Sequence, residues 1–281
     1  MIRRTKSASA DTLAKPIGPF GQLTVRRPSK HGGYGWMRDN PDARDVLYAA
    51  PVRSLISGLP AAVDLRPQCP PIYDQGQLGS CTGNGIAAAI EFDQMKQKQP
   101  VFAPSRLFIY YNERVMEGTV NSDAGAQIRD GIKSVATLGA APESDWPYDI
   151  TKFTKRPPAK AYSDARKDLV STYSRVAQVL NQMQGCLAEG YPFVLGITVY
   201  ESFESDAVAK SGVVPMPGQD EKVIGGHCIV AVGYNSKKRV FILRNSWGTR
   251  WGMKGYFTMP FEYLLDARLA SDFWTIRSVT G

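Results

Sequence analysis

Apolar residues in the second half of the chain fall into short β-branched and aromatic runs separated by turn chemistry. These are Phe193 to Tyr200 (FVLGITVY), Cys228 to Tyr234 (CIVAVGY), Val240 to Arg244 (VFILR) and Gly255 to Met259 (GYFTM). They predict antiparallel strands gathered in a barrel-like lobe. Ahead of them the spacing is helical. Ala126 to Leu138 (AQIRDGIKSVATL) puts Ile128, Ile132 and Val135 on one face, and Gly139 supplies a stop. Cys81 to about Gln97 is the longest helix candidate, with the Ser80 hydroxyl as its expected cap, and a short helix is predicted near Asn181 to Glu189. The segment WPYDITKFTKRPPAK breaks the pattern and reads as a crossing between lobes. Residues 1 to 60, including HGGYGWMRDNPDARD, show neither period and read as an extended arm rather than an independent domain. The expected architecture is α+β and two-lobed: an arm over 1–60, then a domain over 61–281, mainly helical to 165 and mainly β from 166.

Composition narrows the class. With 43% hydrophobic and 21% charged residues the chain reads as soluble and globular, and no run of some 18 apolar residues suggests a membrane span. The start, MIRRTKSASADTLAKP, is basic but lacks the apolar stretch of a Sec signal, so a cytoplasmic location is expected, with export by another route left open. The formal charge of +8 favours acidic partners, yet no basic-aromatic module appears and nucleic acid is not an expected partner. Four cysteines, Cys69, Cys81, Cys186 and Cys228, are too scattered for a disulfide framework. Without a CxxC pair, and with two histidines in the whole chain, no metal site is expected.

Candidate chemistry centres on QGQLGSCTGNG, residues 75 to 85, where one cysteine sits among small residues directly ahead of IAAAIEF. A nucleophilic thiol must be held as thiolate by a positive partner, a helix N-terminus or both. Cys81 has the helix terminus, worth only about 0.3 to 1 kcal/mol when exposed. Of the two imidazoles, His31 lies in a Gly-rich arm, whereas His227 precedes an apolar strand in VIGGHCIVAVGY and is the better partner. Asn245, in RNSWGTRWGMKGYF, offers a neutral oxygen to hold the far ring nitrogen, with the Trp247 indole two residues on as a shelter. Gln75 can offer an amide N–H beside the Cys81 backbone N–H for a developing oxyanion. Taken singly, each has a plainer reading: a satisfied core histidine, a turn, a surface glutamine.

Together these blocks resemble the papain-like cysteine peptidases, most closely their bacterial, xylellain-like branch. His227 lies 146 residues after Cys81 (227 − 81), Asn245 lies 18 residues further (245 − 227), and NSWGTRWGMKGYF is the strongest single match. The resemblance implies a thiol endopeptidase with a helical lobe and a β-barrel-like lobe flanking a cleft. Gln75 would be the oxyanion donor, Cys81 the nucleophile, His227 the proton shuttle, Asn245 its orienter and Trp247 the shield. It further implies that Gly125 and Ala126 pair with substrate backbone, that Ile128 lines a side-chain pocket, and that Gly226 and Cys228 adjoin it. The implied partner is a peptide and no cofactor is needed. Residues 1 to 60 show no long helical propeptide of the family's kind; their low core-forming capacity and their position ahead of the catalytic block instead lead to the expectation that they pack over part of the cleft, as a zymogen segment to be removed or as a permanent cover. Departures are Leu78 at a usual disulfide cysteine, Thr82 at a usual aromatic, and Gly226 at a usual polar position. Rival readings are a Cys/His acyltransferase or transglutaminase, a non-catalytic peptide-binding protein on the same scaffold, and an anion or nucleotide site on the arm.

Overall fold

The computed structural model describes residues 29 to 280, the side chains of Arg53, Leu55 and Ser57 excepted, so the expectations for residues 1 to 28 lie outside the described residues. Helices are α1 (Val52–Ser57), α2 (Cys81–Lys96), α3 (Arg106–Glu117), α4 (Ile128–Leu138), α5 (Ala159–Ala165), α6 (Leu180–Ala188), α7 (Asp206–Ser211) and α8 (Phe261–Leu265). Strands are β1 (Trp36–Met37), β2 (Leu47–Tyr48), β3 (Ala62–Asp64), β4 (Ala126–Gln127), β5 (Val170–Val176), β6 (Phe193–Tyr200), β7 (Val223–Asn235), β8 (Val240–Arg244), β9 (Tyr256–Pro260) and β10 (Ala270–Val279).

At the centre lies α2, buried at every residue from Cys81 to Gln94, as a helix without a charged stripe in that stretch must be. It packs against α3 and α4 on one side and against β7 and β10 on the other, so the helix that begins at Cys81 is the seam between the two halves. On α3 the Ser105 hydroxyl accepts the Phe108 N–H as N-cap, and Gly118, at φ 71°, ends the helix in the left-handed conformation. On α4 the stop is Gly139, at φ 85°.

The large sheet runs β2-β5-β10-β6-β7-β8-β9, with β3 added to β7. Every pair in it is antiparallel except β2 with β5, which is parallel. The sheet is therefore mixed, within the α+β architecture expected from the sequence, and its strand order does not close into a barrel. Four of its strands, β2, β3, β5 and β10, have no counterpart in the predicted set: β2 and β3 span only two and three residues, in β5 only the end residues are fully buried, and β10 is interrupted by a bulge. A correction concerns Ser80. Its hydroxyl caps nothing on α2; it is engaged with the Tyr148 hydroxyl at 2.5 Å and with Asn84 Nδ2 at 3.1 Å.

The arm, as far as it is described, does not stand apart. Its strand β1 pairs in parallel with β4, its strand β2 joins the large sheet, and Tyr34 and Trp36 sit in the main apolar core. No helix among the described residues is long and apolar enough to cross a membrane.

Candidate active site

The loop ahead of α2 is fixed from several directions. Gly79 N–H donates to both oxygens of Asp123, at 3.1 and 3.0 Å, and Gln75 N–H donates to Ser246 O at 2.9 Å. The Gln75 side chain is fully buried: Oε1 accepts from the Ser246 hydroxyl at 2.6 Å, and Nε2 donates to Leu78 O at 2.8 Å and to Gly33 O at 2.9 Å. A surface glutamine would show none of this. Cys81 follows as the first residue of α2, without exposed surface.

His227 comes from β7, the strand against which α2 packs. Its Nε2 lies 2.8 Å from Asn245 Oδ1, which also accepts Ser246 N–H at 2.8 Å. Because the backbone bond fixes the oxygen toward the ring, Nε2 carries the proton, and in the neutral ring Nδ1 holds the lone pair. That Nδ1 is buried and makes no hydrogen bond among the described residues. Trp247 stacks on the imidazole at 4.8 Å with planes 29° apart, and Phe203 meets the ring edge-on at 6.3 Å. These aromatic walls dry the Asn245 bond and strengthen it. They also cost the imidazolium: burial pushes His227 down to about 4, against the Asn245 bond and the negative charge of Glu204, which favour the charged ring. With the arm seated, burial therefore favours the neutral ring.

The arm fills the space over these groups. The Gly33 carbonyl takes the Gln75 donor, and Gly33 N–H bonds Gly76 O at 2.9 Å. Gly35 bridges the two walls, its N–H to Gly226 O at 3.1 Å and its C=O accepting Ala126 N–H at 2.8 Å. A Cβ on Gly35 would lie 1.6 Å from Gly79 O, so only glycine lets the arm come this close. Facing it, a Cβ on Gly226 would lie 2.5 Å from Trp36 O. The absence of a side chain before the histidine is explained by what lies against it. Tyr34 is edge-on to both His227 and Trp247, 5.9 Å from each.

Farther along, the arm is clasped by buried acids. Asp272, at φ 59° in a bulge of β10, accepts Trp36 Nε1–H at 3.1 Å and Asp39 N–H at 2.8 Å. Asp39 in turn accepts Trp274 Nε1–H at 2.9 Å and Arg129 N–H at 3.1 Å. Arg175 reaches Asp272 and Asp45, each at 3.1 Å, and Arg129 pairs with Asp45. Burial, with the negative Asp272 alongside, pushes Asp39 up to about 7.

Of the residues expected to meet substrate, Ala126, Gly226 and Trp247 line the space the arm occupies. The Gly125 N–H is already taken by the Tyr110 hydroxyl at 3.1 Å, and Ile128 is buried in the same apolar cluster as Tyr34 and Trp36. Cys228 faces α2, its Sγ 3.1 Å from the position of a Cβ on Gly85. Burial and the neighbouring Cys81 push its thiol up. None of the four cysteines forms a disulfide. Sequence reasoning missed Glu204, Asp39 and Asp272; the closely spaced glycines of HGGYG, which gave Gly33 and Gly35 their place, were the available signal for the arm's seat.

A family model for papain family cysteine proteases matches residues 59–263. The crystal structure of xylellain, a cysteine protease from Xylella fastidiosa, is 45% identical in sequence and superposes with a TM-score of 0.83, covering 91% of this chain and 99% of that one. An uncharacterised peptidase C1-like protein of Acanthamoeba polyphaga mimivirus is 42% identical across 88% of this chain and 87% of its own length. Cysteine proteinase 1 of Entamoeba histolytica is 30% identical across 75% of this chain and 67% of its own.

Proposed function

The chain belongs to the papain family of cysteine proteases and hydrolyses peptide bonds, and from that premise we propose how its own residues divide the work. His227 Nδ1 takes the Cys81 proton, and the sulfur attacks a peptide carbonyl. The carbonyl oxygen, now anionic, meets the Gln75 amide and the Cys81 backbone N–H. His227 returns the proton to the departing amine, and a thioester on Cys81 remains. Water then attacks the thioester with His227 as base. Asn245 keeps the ring in the one tautomer that serves both steps, and Trp247 keeps water from that bond. The observation that carries this assignment is the 2.8 Å contact of His227 Nε2 with Asn245 Oδ1 beneath the indole, with Nδ1 left for the sulfur.

Residues 29–37 act as an intramolecular cover. Support comes from the Gly33 carbonyl, which holds the donor an oxyanion would need, and from Gly35, whose two backbone bonds use the groups of Gly226 and Ala126 that a substrate strand would use. Seating the arm also removes solvent from His227, which favours a neutral ring; lifting it restores the charged partner that a thiolate requires.

A mixed peptide library incubated with the full chain, with cleaved bonds identified by mass spectrometry, tests the assignment. Cleavage by the native chain and none by Cys81→Ala is expected. Equal cleavage by both would remove Cys81 from the mechanism.

A further inference from the structure

Glu204 ends the short 3-10 turn Glu201–Glu204 after β6, and its residue is only 7% exposed. Among the described residues, every donor to its carboxylate comes from the arm. The Ser29 hydroxyl donates to Oε1 at 2.6 Å, Lys30 N–H to Oε2 at 2.9 Å, and the Tyr34 hydroxyl to Oε1. No cation among those residues pairs with it. Among the described residues, then, this buried carboxylate is held by a segment that must move aside, it loses those partners whenever the site opens, and an unsatisfied polar group in a sheltered position is costly.

Its place in the cleft indicates what could replace the arm. The arm crosses the Gln75 donor at Gly33 and reaches β4 with Gly35 to Met37; Ser29 and Lys30, the residues on Glu204, lie on the opposite side of that crossing. Glu204 is also near the proton donor: Phe203 meets His227 edge-on, Tyr34 spans from His227 to the carboxylate, and the charge of Glu204 acts on the imidazole. The amine that departs takes its proton from His227. Glu204 therefore flanks the departing half of the substrate, away from the wall formed by Ala126.

We propose that Glu204 is a specificity-determining residue that selects a lysine or arginine at one of the first two positions after the cleaved bond. An ammonium or guanidinium brings several donors and a full positive charge to the site that a hydroxyl, an amide and a phenol occupy in the covered form. The inference rests on the peptidase reading and adds to it the chemistry of the leaving side.

The test uses the full chain and quenched peptides identical except for Lys, Gln or Glu at the first or the second position after the scissile bond. The cut is located by mass spectrometry, and kcat/KM is compared as a ratio within each set. Arm opening multiplies every kcat/KM by the same fraction and cancels from the ratio. Lysine is expected to exceed glutamate by at least about tenfold at one of the two positions, the scale of one charge-assisted hydrogen bond. Glu204→Gln should bring that ratio to within about twofold. The native protein alone suffices if that variant does not fold, because raising the salt should shrink the native preference. Equal rates for Lys and Glu at both positions in the native enzyme overturn the proposal; cleavage is then still observed, so the peptidase reading survives that failure.

Discussion

Replacing Gly35 by alanine isolates the arm's hold on the cleft. Gly35 does not adopt a positive φ, so an alanine suits its backbone and the cost arises only from contact. The added methyl would lie 1.6 Å from Gly79 O, in a loop pinned through Asp123 and Ser246, so the arm gives way first. Lifting it forfeits the two Gly35 bonds to Gly226 and Ala126 and, if Gly33 follows, its bonds to Gln75 and Gly76 as well. Two to four bonds at about 1 kcal/mol each sum to about 2 to 4 kcal/mol, a shift of roughly thirty- to several-hundredfold toward the open form. The assay is the rate of Cys81 alkylation by iodoacetamide in native and Gly35→Ala chains, with thermal melting to verify folding. Faster labelling by at least about tenfold is expected. An unchanged rate in a folded Gly35→Ala protein would refute the idea that this segment limits access to the sulfur.

Asn245→Ala strips the acceptor from His227 Nε2 and frees the ring to turn, so kcat should fall by about 10- to 100-fold with KM little altered, as measured on a peptide substrate. The pH response of arm seating combines two opposed groups. Asp39, at about 7 in the seated arm against roughly 3.9 when released, binds its proton more tightly in the covered form, so it weakens seating as pH rises from about 4 through 7. His227, at about 4 when covered against roughly 6.5 when open, weakens seating as pH falls from about 6.5 through 4. The native profile should therefore be nearly flat across that window; the charged groups around Asp39 are Asp272, Asp45, Arg129 and Arg175. Asp39→Asn should leave the histidine slope alone, so that hydrogen-exchange protection of the Gly35 amide, corrected for intrinsic exchange, declines below about pH 6.5; superimposable native and variant profiles would contradict the pairing.

What the sequence disclosed follows from how locally each feature is encoded. QGQLGSC, GGHCIVAVGY and NSWG carry their chemistry in nearly contiguous strings, and β6 and β8 repeat apolar residues densely enough to be read without neighbours. The arm has no such period because its order comes from close approach to surfaces distant in sequence; GGYG looks like a flexible loop until Gly79 and Gly226 are set against it. Glu204 in ESFES and Asp272 in ASDFWTIRSV look like solvent-facing acids. Only the packed chain shows that arm donors surround the first, and that a left-handed backbone turn aims the second at Trp36.

The parallel pairing of β2 with β5 has a kinetic consequence. It makes the segment just downstream of the cover an edge of the large sheet, so the occluding residues remain tethered to the body of the enzyme when they lift out. Occlusion is then a first-order equilibrium set by a fixed effective concentration, and dilution cannot relieve it. Turnover per molecule should be the same at nanomolar and micromolar enzyme, whereas a separate peptide copied from Ser29 to Met37 would have to be supplied at millimolar levels to match its attached counterpart.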